Sequence, residues 1–232
     1  MTRPMKILLT NDDGIQADGL FHLQQALKDA EIHVVAPAEH VSECSHRITT
    51  RMPIRVEARG QRRWAVHGSP ADCVRVAIKY LYPKIHFDWV VAGINEGGNL
   101  GVDIFYSGTV AAVREATLHG YRGMAFSHYM RRDLPRDWDA ASLRARRAFE
   151  YLSDQPLEAL SFWNINLPHL ESQAPEPEIR SCKPCLLPLP VGYEATDADL
   201  IYRGSYADRP RSKDSDTEWC FGGGISISKI QL

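Results

Sequence analysis

Short apolar runs alternate repeatedly with helix-like segments, and this alternation most constrains what the chain can fold into. Five such runs occur: KILLT, IHVVAP, WVVAG, GMAFS and LSFWNINLP. Between the first two, Leu20, Leu23 and Leu27 recur at helical spacing, and Ser69 before Pro70 is a candidate N-cap for another helix. Unbroken apolar strands separated by helices are typical of a parallel sheet that helices cover on both faces. We therefore predict an α/β fold with three layers and a mostly parallel sheet.

Two regions depart from this alternation. Residues 48–68 contain short alternating segments around "RGQ", which indicate a β-hairpin inserted between two βα units. Residues 171–217 are rich in Pro, Ser, Asp and Arg, and we expect an irregular arm with a few strands there. The closing "GGGISISKIQL" predicts a last strand. We accordingly divide the chain into a core over residues 1–170 and an extension over residues 171–232.

Bulk composition excludes several functional classes. The chain has 232 residues, and its formal net charge of −2 favours neither nucleic acid nor an anionic membrane as a partner. The apolar runs fall short of the roughly 18 residues that a membrane span needs, and the first residues lack the features of a signal peptide. The five cysteines are an odd number in a chain too large to need disulfides. We expect a cytoplasmic protein.

An acidic doublet follows the first apolar run. Asn11, Asp12, Asp13 and Gly14 come directly after "KILLT", where a parallel sheet places its ligands. Adjacent carboxylates beside a buried strand repel each other, and their desolvation is costly. A turn with a helix cap would explain the sequence without any function. A hard divalent cation such as Mg²⁺ or Mn²⁺ would also explain it, because such ions prefer carboxylate, carbonyl and hydroxyl oxygens.

A glycine-rich loop follows the third apolar run. In "GINEGGNLGVDIFYSGTV", the glycines allow backbone N–H groups to approach an anion closely. Ser107, Gly108 and Thr109 then lead into a helix, and a helix N-terminus with hydroxyls is a natural phosphate site. The spacing fits neither the dinucleotide fingerprint nor the P-loop. A plain glycine-rich turn remains the alternative, but together with the acidic doublet the loop favours a metal and phosphate site.

These segments resemble one known family over nearly the whole chain. "ILLTNDDGIQADGL", "VVAPAEHVSECSHRIT", "VHGSPADCV", "VVAGINEGGNLGVDIFYSGTVAAVREA" and "NINLP" are similar to successive motifs of SurE, the survival-protein-E family of nucleotidases. The chain departs from the family pattern around Ser42, where Val41, Glu43, Cys44 and Arg47 replace usual residues. It also departs at Gly98, and it lacks the C-terminal helix that many members carry.

The resemblance implies a Rossmann-like core, an oligomerising extension and a homodimer or homotetramer. It also implies metal-dependent hydrolysis of nucleoside 5′- and 3′-monophosphates, and of short polyphosphate, by water that one Mg²⁺ or Mn²⁺ per subunit activates. The expected metal ligands are Asp12, Asp13, Ser42 and Asn95, and Asp12 and Asp13 are the expected catalytic residues. The expected phosphate or substrate contacts are Asn11, Asn99, Ser107, Gly108 and Thr109.

Three other interpretations of the doublet stay open at the level of sequence. A strand-end aspartate could be a covalent nucleophile, as in haloacid-dehalogenase-like phosphatases, although that motif resembles D-x-D and here the carboxylates are adjacent. A receiver domain would bind Mg²⁺ through similar residues, but the later strands "WVVAG" and "GMAFS" end without its phosphoacceptor Asp and Lys. The chain could also be a non-catalytic member that only binds metal and phosphate.

Overall fold

The computed structural model describes residues 3–42 and 44–232, which form one main sheet of nine strands and a separate two-stranded sheet. The order across the main sheet is β3-β4-β2-β1-β5-β6-β7-β11-β8. Its strands are β1 (Lys6–Thr10), β2 (Glu31–Pro37), β3 (Val56–Gly60), β4 (Arg63–Val66), β5 (Trp89–Glu96), β6 (Gly123–His128), β7 (Ser161–Leu167), β8 (Ile179–Ser181) and β11 (Ile225–Gln231). The small sheet pairs β9 (Tyr193–Ala195) with β10 (Leu200–Tyr202).

Most neighbouring strands of the main sheet run parallel. Strand β1 lies at the centre between β2 and β5, with Leu9 opposite Val34 on one side and Val91 on the other. Strands β5, β6 and β7 continue in the same direction, and β4 is parallel to β2. Strand β3 is antiparallel to β4, and β11 is antiparallel to β7. The predicted mostly parallel sheet is therefore confirmed.

Helices cover both faces of this sheet. They are α1 (Asp18–Ala26), α2 (Pro70–Val76), α3 (Gly108–Leu118), α4 (Trp138–Ser153) and α5 (Asp216–Phe221). Successive side chains of a strand point to opposite faces, so Ile7 and Leu9 of β1 join one core with α1 and α4. Leu8, between them, joins a second core with α2 and α3. The molecule thus has the three layers that the alternation predicts.

The two irregular regions add strands to the sheet. The hairpin predicted within residues 48–68 forms at β3 and β4, and β4 extends the main sheet beyond β2. The extension supplies β8 and the closing strand β11 to the opposite edge. The sequence did not predict α5, whose six residues are too few for helical periodicity to show. No helix among the described residues is long and apolar enough to cross a membrane.

We predict that Gly19→Ala destabilises the protein, although alanine favours an isolated helix by about 1 kcal/mol over glycine. A Cβ atom at Gly19 would lie 1.9 Å from the carbonyl oxygen of Ile94, because α1 packs directly on β5. We expect overpacking of this contact to lower the free energy of unfolding by roughly 2 kcal/mol or more. Urea denaturation measures the change.

The matched control is Gly192→Ala, where a Cβ atom would meet nothing within 4 Å. Its unfolding midpoint should stay at the wild-type value. Equal midpoints for Gly19→Ala and the wild type would show that α1 does not pack this closely on β5.

Candidate metal and phosphate site

The carboxyl ends of β1 and β5 meet the first turn of α3, and the acidic doublet lies at this junction. Strand β1 ends at Thr10, so Asp12 and Asp13 follow it in a loop. The Thr109 hydroxyl, in the first turn of α3, donates a hydrogen bond to Oδ1 of Asp12. The Glu96 backbone N–H, at the end of β5, donates to Oδ2 of Asp13 at 3.2 Å. The two carboxylates therefore join the central strands to α3.

Asp12 is the more buried of the two carboxylates, with 4% of its surface exposed. Burial raises the pKa of this carboxyl to about 6, and the charge of Asp13 adds to the increase. The Thr109 hydrogen bond opposes the shift because it stabilises the charged form. A Cβ atom at Gly108 would lie 2.9 Å from Oδ2 of Asp12, so the glycine lets α3 begin directly against the carboxylate.

Asp13 is partly buried and faces the loop after β2. Burial raises its pKa, while the Glu96 amide hydrogen bond and the charge of His40 act in the opposite direction. Nδ1 of His40 lies 3.5 Å from Oδ1 of Asp13. Among the described residues, this is the one ion pair that either carboxylate makes, and it depends on His40 being protonated. The doublet thus concentrates negative charge with little internal compensation.

Asn11 shapes the loop that carries the doublet. Its Nδ2 donates to the carbonyl of Gly14 at 2.8 Å, whereas its buried Oδ1 has no hydrogen-bond partner within residues 3–42 and 44–232. Gly14 has φ +102°, and a Cβ atom there would lie 3.1 Å from the carbonyl carbon of Glu39. The loop after β1 consequently packs against the loop after β2, with one unsatisfied acceptor at its base.

The loop after β2 brings Ser42 to the same edge. The Val41 N–H donates to the Asp12 carbonyl at 2.8 Å, and the adjacent Ser42 is exposed in a turn. Glu43 lies outside the described residues. Ser45 fastens the far side of the loop, because its hydroxyl donates to the Phe105 carbonyl at 2.8 Å. Within the described residues the Ser42 hydroxyl makes no hydrogen bond to the doublet, so its role as a ligand stays a prediction.

Asn95 lies near the end of β5, beside the Glu96 amide that contacts Asp13. Its Nδ2 donates to the Gly97 carbonyl at 2.7 Å, and its Oδ1 makes no hydrogen bond within the described part of the chain. The pairing of β5 with β6 shifts register between Ala92 and Asn95. The irregularity falls at the end of β5, and such irregularities change the direction of the side chains beside them.

Asn99 belongs to a buried network at the ends of β6 and β7. Its Nδ2 donates to the Ser127 hydroxyl at 2.7 Å, and its backbone N–H donates to Oδ1 of Asn166 at 2.7 Å. Asn164 and Asn166 in turn donate to the Asn99 carbonyl, at 2.8 and 3.1 Å. These bonds fix Asn99 firmly, and its predicted contact with phosphate stays a prediction.

Ser107 begins α3 as its N-cap. Its hydroxyl accepts a hydrogen bond from the Val110 N–H at 3.1 Å, and only 8% of its surface is exposed. Ser107 therefore caps an 11-residue helix whose first residues, Gly108 and Thr109, lie against Asp12 of the doublet. The positive end of the helix dipole and the free N–H groups of its first turn favour an anion there.

The oxygen atoms around the doublet fit a hard divalent cation. Two carboxylates, the Asn95 amide oxygen and the nearby Ser42 hydroxyl match the ligands that Mg²⁺ and Mn²⁺ prefer. No group of three His, Cys, Asp or Glu side chains among the described residues is placed to hold a metal. A cation here would therefore need the neutral oxygens, or water, beside the two carboxylates.

Sequence reasoning missed two parts of this site. It left His40 without a role, although His40 lies beside Asp13. It also gave no site role to the asparagines of "NINLP", although Asn164 and Asn166 are fully buried and hold Asn99. Two asparagines that alternate within an otherwise apolar strand were the available signal, since buried polar side chains need specific partners.

Comparisons with known proteins identify the family of the chain. The family model described as survival protein SurE matches residues 7–187. A protein of Synechocystis sp., named as a candidate 5′-nucleotidase, is 46% identical over 228 residues, which are 98% of this chain and 100% of that protein. The 5′-nucleotidase SurE of Nitratidesulfovibrio vulgaris is 41% identical over 186 residues, covering 78% of this chain and 66% of the relative.

A solved structure gives the same result for the fold. The crystal structure of the SurE protein from Aquifex aeolicus superposes with a TM-score of 0.86 at 25% identity. The match covers 97% of this chain and 93% of the Aquifex chain. The family match, the relatives and the shared fold together show that this chain belongs to the SurE family.

Proposed function

We propose that this chain is a metal-dependent phosphomonoesterase that hydrolyses nucleoside 5′- and 3′-monophosphates, and short polyphosphate. The observation that carries the proposal is the junction at Asp12, a buried carboxylate held against the first turn of α3. Such a turn binds phosphate, and the doublet beside it supplies ligands for a cation. The names of the relatives, 5′-nucleotidases, agree with this chemistry.

Asp12 and Asp13 would hold one Mg²⁺ or Mn²⁺, with the oxygens of Asn95 and Ser42 completing the protein ligands. A bound divalent cation activates water as a nucleophile and neutralises charge on the phosphate. The raised pKa of Asp12, about 6, gives a reason for the cation, since its binding offsets the cost of keeping this carboxylate charged. Either carboxylate could take the proton from the attacking water.

The first turn of α3 would bind the phosphate. Thr109 would hold Asp12 through its hydroxyl, while the N–H groups that follow Ser107 would donate to the equatorial oxygens as negative charge develops. Asn99 would orient the substrate, whereas Asn11 is fully buried and would support the loop that carries the doublet. Gly108 leaves the space between the helix and Asp12 free of a side chain. The N-cap geometry fixes these donors before substrate arrives.

We further propose that the extension mediates a homodimer or homotetramer. Strands β9 and β10 form a separate hairpin, and its side chains are largely exposed. Tyr193, Leu200 and Tyr202 expose 60%, 67% and 52% of their surfaces. Exposed apolar patches of this kind mark surfaces that bind another protein, and a second copy of the chain is the proposed occupant.

We predict that Asp12→Asn and Asp13→Asn each lower phosphate release from AMP with Mn²⁺ by a factor of about 10³ or more, as loss of a metal ligand removes the activated nucleophile. Asparagine keeps the shape of each side chain, so circular dichroism should show a folded protein. The matched control is Asp29→Asn. Asp29 is an exposed carboxylate just before β2, at the amino ends of the strands, whereas the doublet lies at their carboxyl ends. This variant should retain wild-type activity.

Full activity in either doublet variant would overturn the assignment of that carboxylate. A phosphorylated aspartate trapped by acid quench would instead support the covalent route of haloacid-dehalogenase-like enzymes. Its absence during turnover agrees with direct attack by water.

We also predict that activity requires added metal. A panel of 5′-AMP, 3′-AMP, short polyphosphate and p-nitrophenyl phosphate should release phosphate with Mg²⁺ or Mn²⁺, and release should stop when a chelator is added. Returning excess Mn²⁺ should restore it. No release from any substrate with any metal would identify a member of the family that only binds its ligands.

A further inference from the structure

A segment of the extension, residues 205–217, lies across the glycine-rich loop that joins β5 to α3. The loop runs from Gly97 to Tyr106 and includes a short 3₁₀ helix, Gly101–Phe105. At its two ends it adjoins Glu96, whose amide contacts Asp13, and Ser107, which caps α3. Glycines leave a loop many backbone conformations, so ordering this one needs contacts from elsewhere.

Arg209 supplies the first contact. Its guanidinium donates two hydrogen bonds to the carboxylate of Asp103, in the middle of the loop. Both side chains are buried, with 3% of Arg209 and 12% of Asp103 exposed. Asp103 also accepts from the Leu100 N–H at 3.2 Å. A bidentate pair away from water has one favourable geometry, so Arg209 fixes where the 3₁₀ helix lies.

Tyr206 supplies the second contact. Its hydroxyl lies 2.9 Å from the Gly98 carbonyl and 3.0 Å from Oδ2 of Asp103, so its proton can be donated to either acceptor. The ring stacks with Phe221 and Tyr129 at centroid distances of 6.1 Å, which holds the hydroxyl in place. A Cβ atom at Gly98 would lie only 2.6 Å from this hydroxyl oxygen.

Asp216 secures the beginning of the 3₁₀ helix. Its Oδ2 accepts from the Gly101 N–H at 2.7 Å, and its Oδ1 accepts from the Cys185 N–H at 2.8 Å. A Cβ atom at Gly101 would lie 2.2 Å from the Cys185 carbonyl oxygen. The extension therefore contacts the loop at Gly98, Gly101 and Asp103.

We infer that Tyr206 and Arg209 are positioning residues for phosphate binding. They act by holding the glycine-rich loop in a fixed position beside the first turn of α3. Neither residue touches the acidic doublet, so they act through the loop. The inference rests on the proposed function for its kinetic readout. It assigns the extension a part in substrate affinity in addition to any part in assembly.

The decisive experiment is a double-mutant cycle between Gly98 and Tyr206, measured with 5′-AMP and Mn²⁺. Tyr206→Phe removes one hydrogen bond to the loop, so we expect KM to rise about threefold to tenfold while kcat stays within about twofold. Gly98→Ala should raise KM further, because its Cβ meets the Tyr206 hydroxyl. The KM of the double variant should not exceed that of Tyr206→Phe alone, because phenylalanine lacks the hydroxyl oxygen that the Cβ added by Gly98→Ala would otherwise meet.

The matched control is Tyr151→Phe on α4, where the side chain is exposed and the kinetic constants should not change. Independent, additive losses in the double variant would contradict the inference, as would a fall in kcat without a change in KM.

A second variant tests Arg209. Arg209→Lys keeps the buried charge but loses the bidentate geometry. It should also raise KM, whereas wild-type constants would overturn its assignment.

Hydrogen exchange separates this inference from the proposed function. The loop amides from Gly97 to Tyr106 should exchange faster in Tyr206→Phe than in the wild type, while amides of α1 stay unchanged. An inactive wild-type protein would refute the proposed function and still allow this measurement. Unchanged exchange in the loop would refute the positioning role even in a fully active enzyme.

Discussion

The burial of Asp12 beside a second carboxylate is the constraint on which the site depends. A charge taken out of water is costly, and a like charge next to it adds to the cost, so the pKa of Asp12 rises to about 6. The Thr109 hydroxyl offsets only part of this cost. A nearby cation would offset the cost of burying this charge, and among the described residues His40 is the one basic side chain paired with the doublet, at Asp13.

This constraint explains why distant segments converge on the doublet. Thr109 must reach Asp12, so α3 begins directly against β1, and Gly108 is the residue that permits this approach. The loop after β2 is bound to the Asp12 backbone through Val41, and the end of β5 is bound to Asp13 through Glu96. The extension then fixes the remaining loop through Arg209 and Asp103. Each contact limits the freedom of a segment that carries a proposed ligand or phosphate donor.

Local sequence signals predicted the elements that local physics determines. Apolar runs gave the strands, and Ser69 caps α2 together with Asp72, as a serine before Pro70 predicts. The sequence also placed the doublet and the first turn of α3 at one edge, because carboxyl ends of parallel strands meet there. These inferences need only periodicity, capping chemistry and the rule that ligands bind at the carboxyl ends of parallel strands.

Contacts between residues far apart in sequence could not be predicted in the same way. Arg209 and Asp103 are 106 residues apart, and neither belongs to a periodic pattern that would pair them. The hydrogen bonds of Asn99, in the loop after β5, reach Ser127 on β6 and Asn166 on β7. Helix α5 forms where Ser215 caps it and Asp216 binds the loop, so tertiary contacts, more than its short sequence, define it.

The central claim is that Asp12 and Asp13 jointly hold one divalent cation beside the first turn of α3. Anomalous diffraction from a crystal soaked in Mn²⁺ tests it most directly, because the signal locates the ion without assuming any activity. We predict one strong peak within coordination distance of both carboxylates and of the Asn95 amide oxygen, and no such peak in Asp12→Asn crystals. A peak elsewhere, or none at the doublet under saturating Mn²⁺, would contradict the account.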